Sequence, residues 1–253
     1  MFKKLVFFFA VVISIAAFTG AAFAAVPDNL VVQAWPEYSD DQVLFMETVK
    51  FSDNTPLPIE VKLAIPKGAQ VKWAGELMSD ASQDIKVTPE VNGFADYDEV
   101  VFTLTKSRVG QVEAKWAGLK TEGEARTLNF DWVQRYEAKE TQIKLKVPTG
   151  STDVKVTPTL SDVSTSPDGM KIYSGPPISL PVGQKLSYTM TYKRTTNVPA
   201  ETLRQPVSPP AGAPVSGGGT SSDTSAIIAI ALVAITAIAI ASAVIYQKKR
   251  AEG

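Results

Sequence analysis

Few residue types in this chain could do chemistry. Its 253 residues include no His and no Cys. Without His there is no imidazole base, no Ser-His-Asp or Cys-His arrangement and no imidazole ligand for zinc, copper or haem. Without Cys there are no disulfides, thiol nucleophiles, zinc thiolates or iron–sulfur clusters. The carboxylates that remain cluster at Asp40-Asp41, Asp53-Asn54 and Asp96-Tyr97-Asp98-Glu99. Oxygen-rich loops can hold Ca²⁺, but none of these fits the D-x-[DN]-x-[DN]-G pattern, and solvated turn residues explain them as well. A carboxylate pair acting as acid and base would need a separation of ~5–10 Å, so a hydrolase stays a third function class. No Ser-x-x-Lys or Gly-x-Ser-x-Gly signature occurs. No cofactor or metal is expected.

Aromatic residues offer the other chemistry. Trp35-Pro36-Glu37-Tyr38 sets two rings near a strand end, either as a sugar-stacking platform or as a core Trp and an edge Tyr around a strand-breaking Pro. Trp73, Trp116 and Trp132 share parity with apolar neighbours and are expected in the core. The candidate contact surface is therefore Trp35, Tyr38, Asp96, Tyr97 and Asp98.

The elements that must position these residues are strands. Ile59, Val61, Leu63 and Ile65 alternate with polar or small residues until Pro66-Lys67-Gly68. Val112, Ala114 and Trp116 alternate with Gln111, Glu113 and Lys115, which are expected to face water. The same period appears in Leu128-Phe130-Trp132, Ile143-Leu145-Val147 and Leu186-Tyr188-Met190-Tyr192. No helical period runs through residues 26–200. The expected fold class is all-β: two small immunoglobulin-like or fibronectin-like β-sandwich modules, 25–124 and 125–197, followed by a single transmembrane helix. A repeat supports two modules: Val61-Lys62-Leu63-Ala64-Ile65-Pro66-Lys67-Gly68 returns 82 residues later as Ile143-Lys144-Leu145-Lys146-Val147-Pro148-Thr149-Gly150. The boundary is placed near Glu122-Gly123-Glu124.

Both ends of the chain bear on location. Residues 1–24 read as a signal peptide, with Lys3 and Lys4, an apolar run and an Ala22-Phe23-Ala24 exit. Residues 198–225 read as a Pro/Gly/Ser-rich tether. Ala226 to Tyr246 is an uncharged run whose helical length of ~31 Å matches a bilayer core. Lys248, Lys249 and Arg250 follow in a cytoplasmic tail, 247–253, so the positive-inside rule puts the body outside, at the cell surface or in the periplasm. Small residues at Ala237/Ala241 and Ala239/Ala243 would permit a helix-mediated homodimer. Between signal and tail, 20 Lys and Arg face 25 Asp and Glu, with no basic stripe to meet nucleic acid. The missing Cys residues and N-glycosylation sequons suggest a prokaryotic source.

With these motifs in place, the exported part resembles a loosely defined group of prokaryotic single-pass surface proteins of unassigned function. The resemblance rests on Trp35-Pro36-Glu37-Tyr38 with its acidic turn, Ile65-Pro66-Lys67-Gly68, Val147-Pro148-Thr149-Gly150, Asp168-Gly169 and the Gly183 to Tyr192 strand. It implies architecture and location, and carries over no site residue. The expected function is a non-catalytic, membrane-anchored ectodomain that binds or positions an extracytoplasmic protein or glycan partner. A carbohydrate- or cell-wall-binding module is the alternative.

Overall fold

The computed structural model describes residues 25–203, apart from Pro167. The expected signal peptide, most of the tether, the Ala226–Tyr246 span and the tail lie outside the described residues. Within them no helix is long and apolar enough to cross a membrane.

The described chain is all-β. Its first seven strands are β1 (Asn29–Pro36), β2 (Val43–Lys50), β3 (Ile59–Pro66), β4 (Gln70–Glu76), β5 (Ile85–Lys86), β6 (Glu90–Gly93) and β7 (Tyr97–Leu104). Then come β8 (Val109–Trp116), β9 (Leu119–Glu122), β10 (Ala125–Val133) and β11 (Glu140–Val147). The last four are β12 (Thr152–Thr157), β13 (Asp162–Thr165), β14 (Lys171–Ser174) and β15 (Lys185–Lys193). They form an 8-stranded sheet ordered β13-β14-β11-β1-β2-β8-β4-β5, a 4-stranded sheet β12-β15-β10-β9 and a 3-stranded sheet β3-β7-β6.

The two chain halves do not form separate modules. β1 pairs in parallel with β11, from Asn29↔Glu140 to Ala34↔Leu145, at the centre of the large sheet. One apolar core then runs from Leu30, Phe45 and Leu63 through Val100 to Phe130, Leu145 and Met190. Glu122-Gly123-Glu124, expected as a boundary, is instead the tight turn of the β9–β10 hairpin, with Glu122 opposite Ala125. The repeated sequence also takes two different places: its first copy is β3, an edge of the small sheet, and its second is β11, inside the large one. The resulting sandwich-like body stacks two smaller sheets on one large one.

The large sheet is buried on both faces near its centre. Leu30, Val32 and Ala34 face the core, yet Val31, Gln33 and Trp35 on the other face of β1 are buried too. Gln111, expected to face water, is 5% exposed; Lys144 and Lys146 are 6% and 4% exposed. A central strand has neighbours on both sides, and their long side chains shield even an outward polar residue.

Three buried glutamates tie the sheets together, each differently. Glu47 of β2 points into the core between Phe45 and Val49, and its Oε2 accepts a hydrogen bond of 3.1 Å from Trp132 Nε1 of β10. Burial pushes its pKa well above the usual carboxylate value, more than the Trp132 hydrogen bond can offset. Glu76, at the end of β4, accepts the backbone N–H groups of Thr105, Lys106 and Ser107 at 2.9, 2.7 and 2.6 Å, and the Thr105 hydroxyl at 2.8 Å. Burial opposes its charge, but these donors outweigh it and hold the pKa below the ordinary value.

Glu37 sits in the β1–β2 turn with a positive φ of 50° and is buried. Its carboxylate accepts Arg126 Nε at 3.0 Å and the Tyr192 hydroxyl at 2.7 Å, and Arg194 Nη1 lies 3.5 Å away. Arg194 also donates to the Val198 carbonyl at 2.6 Å, and Ala200 N donates to the Glu37 carbonyl at 2.8 Å. Residues 198–202, expected at the start of the tether, therefore belong to the body. Ala200 is fully buried against it.

Two stability predictions follow from these carboxylates. Glu37→Ala strands two buried guanidinium groups and should cost about 3–5 kcal/mol in urea unfolding. For Glu47 the folded pKa is raised, so its stabilising contribution is full at acid pH and is lost as pH rises through the elevated value. Glu47→Gln keeps a Trp132 acceptor and should remove that alkaline loss, whereas Glu76→Gln should leave it in place. Urea midpoints measured from pH 5 to 9 check both.

Candidate functional site

The β6–β7 hairpin carries the site. Asn92-Gly93 leads into its turn, Gly93 pairs with Asp98, and Phe94 N donates to the Tyr97 carbonyl at 2.9 Å, which leaves Ala95 and Asp96 at the tip. This geometry sets Phe94 and Tyr97 side by side, stacked with centroids 4.8 Å apart and planes 10° from parallel. Phe94 is 42% exposed, although rings of this size are mostly buried.

A cation from another sheet completes the cluster. Arg135 follows β10, and its guanidinium carbon stands 5.7 Å from the Phe94 centroid and 5.3 Å from that of Tyr97. It is aimed there by Glu99 of β7, whose Oε2 accepts Arg135 Nε at 2.8 Å and Nη2 at 2.7 Å. Next along the chain, the Tyr136 hydroxyl takes a hydrogen bond from Lys62 N and donates to the Glu60 carbonyl at 3.2 Å. That covers the free edge of β3 as a neighbouring strand would.

On the other side of the hairpin, buried Asp98 accepts Lys67 Nζ and Gly68 N, both at 2.8 Å. Burial raises its pKa, but those two donors prevail and hold it below the usual range. The arrangement offers an open ring face, a guanidinium already neutralised by Glu99, and an exposed carboxylate at Asp96. It can hold a flat apolar group beside a hydrogen-bonding one. Asp98 is committed to Lys67 and Gly68, which suits a structural part better than proton transfer.

Of the five residues expected at a contact surface, Asp96, Tyr97 and Asp98 are brought together here. Trp35 and Tyr38 are not. They are 7% and 3% exposed, meet edge to face at 5.0 Å, and pack with Met46, Met170 and Ala200 on the far face of the large sheet. Lys146 Nζ lies 4.0 Å over the Trp35 ring. Neither ring is open to a sugar, because the exit segment and the β13–β14 turn cover them. Asp40 bonds Gln42 N at 3.0 Å and pairs with Lys115. Among the described residues no group of three or more carboxylates is placed to hold a metal ion.

Sequence reading missed Phe94 and Arg135. The Asn-Gly dipeptide before Phe94, with aromatics on both sides of Ala95-Asp96, was a usable turn signal. Nothing local marks Arg135, which lies 36 residues from its partner Glu99.

No family model matches the chain, and no curated protein matches it. Among solved structures it is similar to an aminopeptidase A from Legionella pneumophila: TM-score 0.36 and 8% identity over 69% of this chain and 22% of that one. It is also similar to a leukotriene A4 hydrolase from Saccharomyces cerevisiae: TM-score 0.35 and 7% identity over 66% of this chain and 29% of that one. The chain thus spans less than a third of either structure's length.

Arg135→Ala should leave Glu99 buried without its partner and cost about 1–3 kcal/mol. Arg135→Lys, which keeps the charge but loses the planar fork, should fall between. Urea denaturation of the three proteins measures the order.

Proposed function

We propose that this protein is an exported, membrane-anchored binding protein, which holds or positions an extracytoplasmic partner without transforming it. The observation that carries the reading is the Phe94–Tyr97–Arg135 cluster, an exposed aromatic face fixed by a hairpin and an ion pair on a rigid all-β body. Exposed aromatic and Arg residues in such settings are typical anchors of protein contacts. In this reading residues 1–24 export the chain, and Ala226–Tyr246 with Lys248, Lys249 and Arg250 anchor it with the body outside. The bilayer is its first partner.

A second reading, a carbohydrate- or cell-wall-binding module, draws on the same open face of Phe94, since a pyranose ring can lie flat on an aromatic ring.

A photo-crosslinking residue placed at Asp96 in the full-length protein, activated in intact cells, should yield a discrete adduct that Phe94→Ala abolishes. The same residue at Lys155 should not. If the Asp96 and Lys155 positions give the same pattern, the contact surface is elsewhere and the reading falls. An adduct that shifts on muramidase treatment would favour the glycan partner. Because Phe94 is exposed, Phe94→Ala should change stability by no more than about 0.5 kcal/mol.

A further inference from the structure

The 3-stranded sheet ends on β6, and no strand pairs with the outer side of β6 among the described residues. Phe94 N donates to the Tyr97 carbonyl, so antiparallel alternation makes Asn92–Glu99 and Glu90–Val101 the hydrogen-bonded pairs. The N–H and C=O groups of Val91 and Gly93 therefore turn away from β7. Nothing among the described residues bonds them. At the opposite edge of the sheet, the Tyr136 hydroxyl closes β3. β6 has no such cover and no lysine to repel a strand: it reads Glu90-Val91-Asn92-Gly93, with the Val91 side chain 50% exposed.

The ring stack points the same way. Phe94 and Tyr97 face each other across the hairpin, and their centroid distance of 4.8 Å matches the spacing of neighbouring strands. Arg135 is almost equally far from both centroids, at 5.7 and 5.3 Å. It therefore lies along the edges of the stack and leaves the outer face of Phe94 open. That face is turned to where one further strand would lie.

Charge narrows what that strand can be. Glu90 lies on the same sheet face as Phe94, and Asp96 stands at the hairpin tip. Both are exposed, and neither carboxylate has an ion pair or hydrogen bond among the described residues. The cations nearby are already committed, Lys67 to Asp98 and Arg135 to Glu99.

We infer that the free edge of β6 takes an extended, basic segment of a partner protein as a further strand. Val91 and Gly93 supply the backbone hydrogen bonds, a flat side chain of the segment stacks on Phe94, and its Lys or Arg residues meet Glu90 and Asp96. A second copy of this chain is a poorer occupant, because self-pairing of β6 brings the unpaired carboxylates of both copies together. The inference rests on the reading of the Phe94 cluster as a contact site, and it narrows the partner there to a protein chain.

The test uses full-length protein in nonionic detergent and a short fluorescent peptide made of Lys, Tyr, Val and Thr, followed by anisotropy. The parent peptide should bind saturably, and more weakly as salt is raised. Alternate N–H groups of a strand point to opposite sides, so two N-methylated forms are compared, one methylated at odd residues and one at even. One should lose affinity by about tenfold or more, and the other should bind as the parent does. A form with Glu in place of Lys should not bind. Val91→Pro should weaken the parent peptide as Phe94→Ala does. It removes a donor that faces away from β7, so the hairpin ladder and the urea midpoint should hold. Absence of parent binding, equal binding of both N-methylated forms, or binding of the Glu form would overturn strand addition.

The crosslink from Asp96 in cells separates this inference from the reading beneath it. Loss of the adduct in Val91→Pro as well as in Phe94→Ala is the expected result. An adduct lost in Phe94→Ala but kept in Val91→Pro overturns strand addition and leaves the contact surface standing. Equal patterns at Asp96 and Lys155 would instead sink the contact surface itself.

Discussion

The parallel pairing of β1 with β11 is the constraint on which the rest of the molecule depends. It lies at the centre of the eight-stranded sheet and joins residues more than a hundred positions apart. A parallel pair cannot be closed by a hairpin, and here the whole of β2 to β10 serves as the crossover. Of those intervening strands β2, β4, β5 and β8 extend the same sheet, while β3, β6 and β7 form the small sheet and β9 and β10 enter the four-stranded one. The single core follows from that closure, as does the position of the β10–β11 loop that presents Arg135.

The buried carboxylates show how the sheets are locked once closed. Glu76 has four donors and remains a stable anion, fixing the β7–β8 loop. Glu47 has one side-chain donor in an apolar junction, so burial dominates and raises its pKa. Glu37 faces two guanidinium groups and a phenol, which clamp the first turn to the end of β15 and to the segment leaving the body. Residue type is the same in all three. The number and charge of the donors decide the outcome.

The same logic separates the hairpin cluster from the outer face of the large sheet. At the hairpin Arg135 is met by Glu99 and Asp98 by Lys67 and Gly68, and what remains is an apolar ring beside the exposed Asp96, the usual form of a contact anchor. On the outer face of the large sheet the Trp35 and Tyr38 rings are covered by Met46, Met170 and Ala200.

Period-2 alternation with Gly and Pro punctuation was enough to read the described residues as all-β, because that pattern survives any tertiary arrangement. The sequence also marked the carboxylate-rich turn at Asp96–Glu99, where turn chemistry is local. It could not determine which strands pair, since the two copies of the Val61 and Ile143 repeat have the same alternation and different neighbours. Nor could it separate Trp35 from Phe94. Trp35 is covered by the exit segment and by the turn before β14, while Phe94 is lifted clear at a hairpin tip. Lys144 and Lys146 look alike along β11, and only Asp168, brought over by the β13–β14 hairpin, distinguishes them. Alternation is a property of one strand, whereas burial and charge pairing belong to the neighbours that the fold supplies.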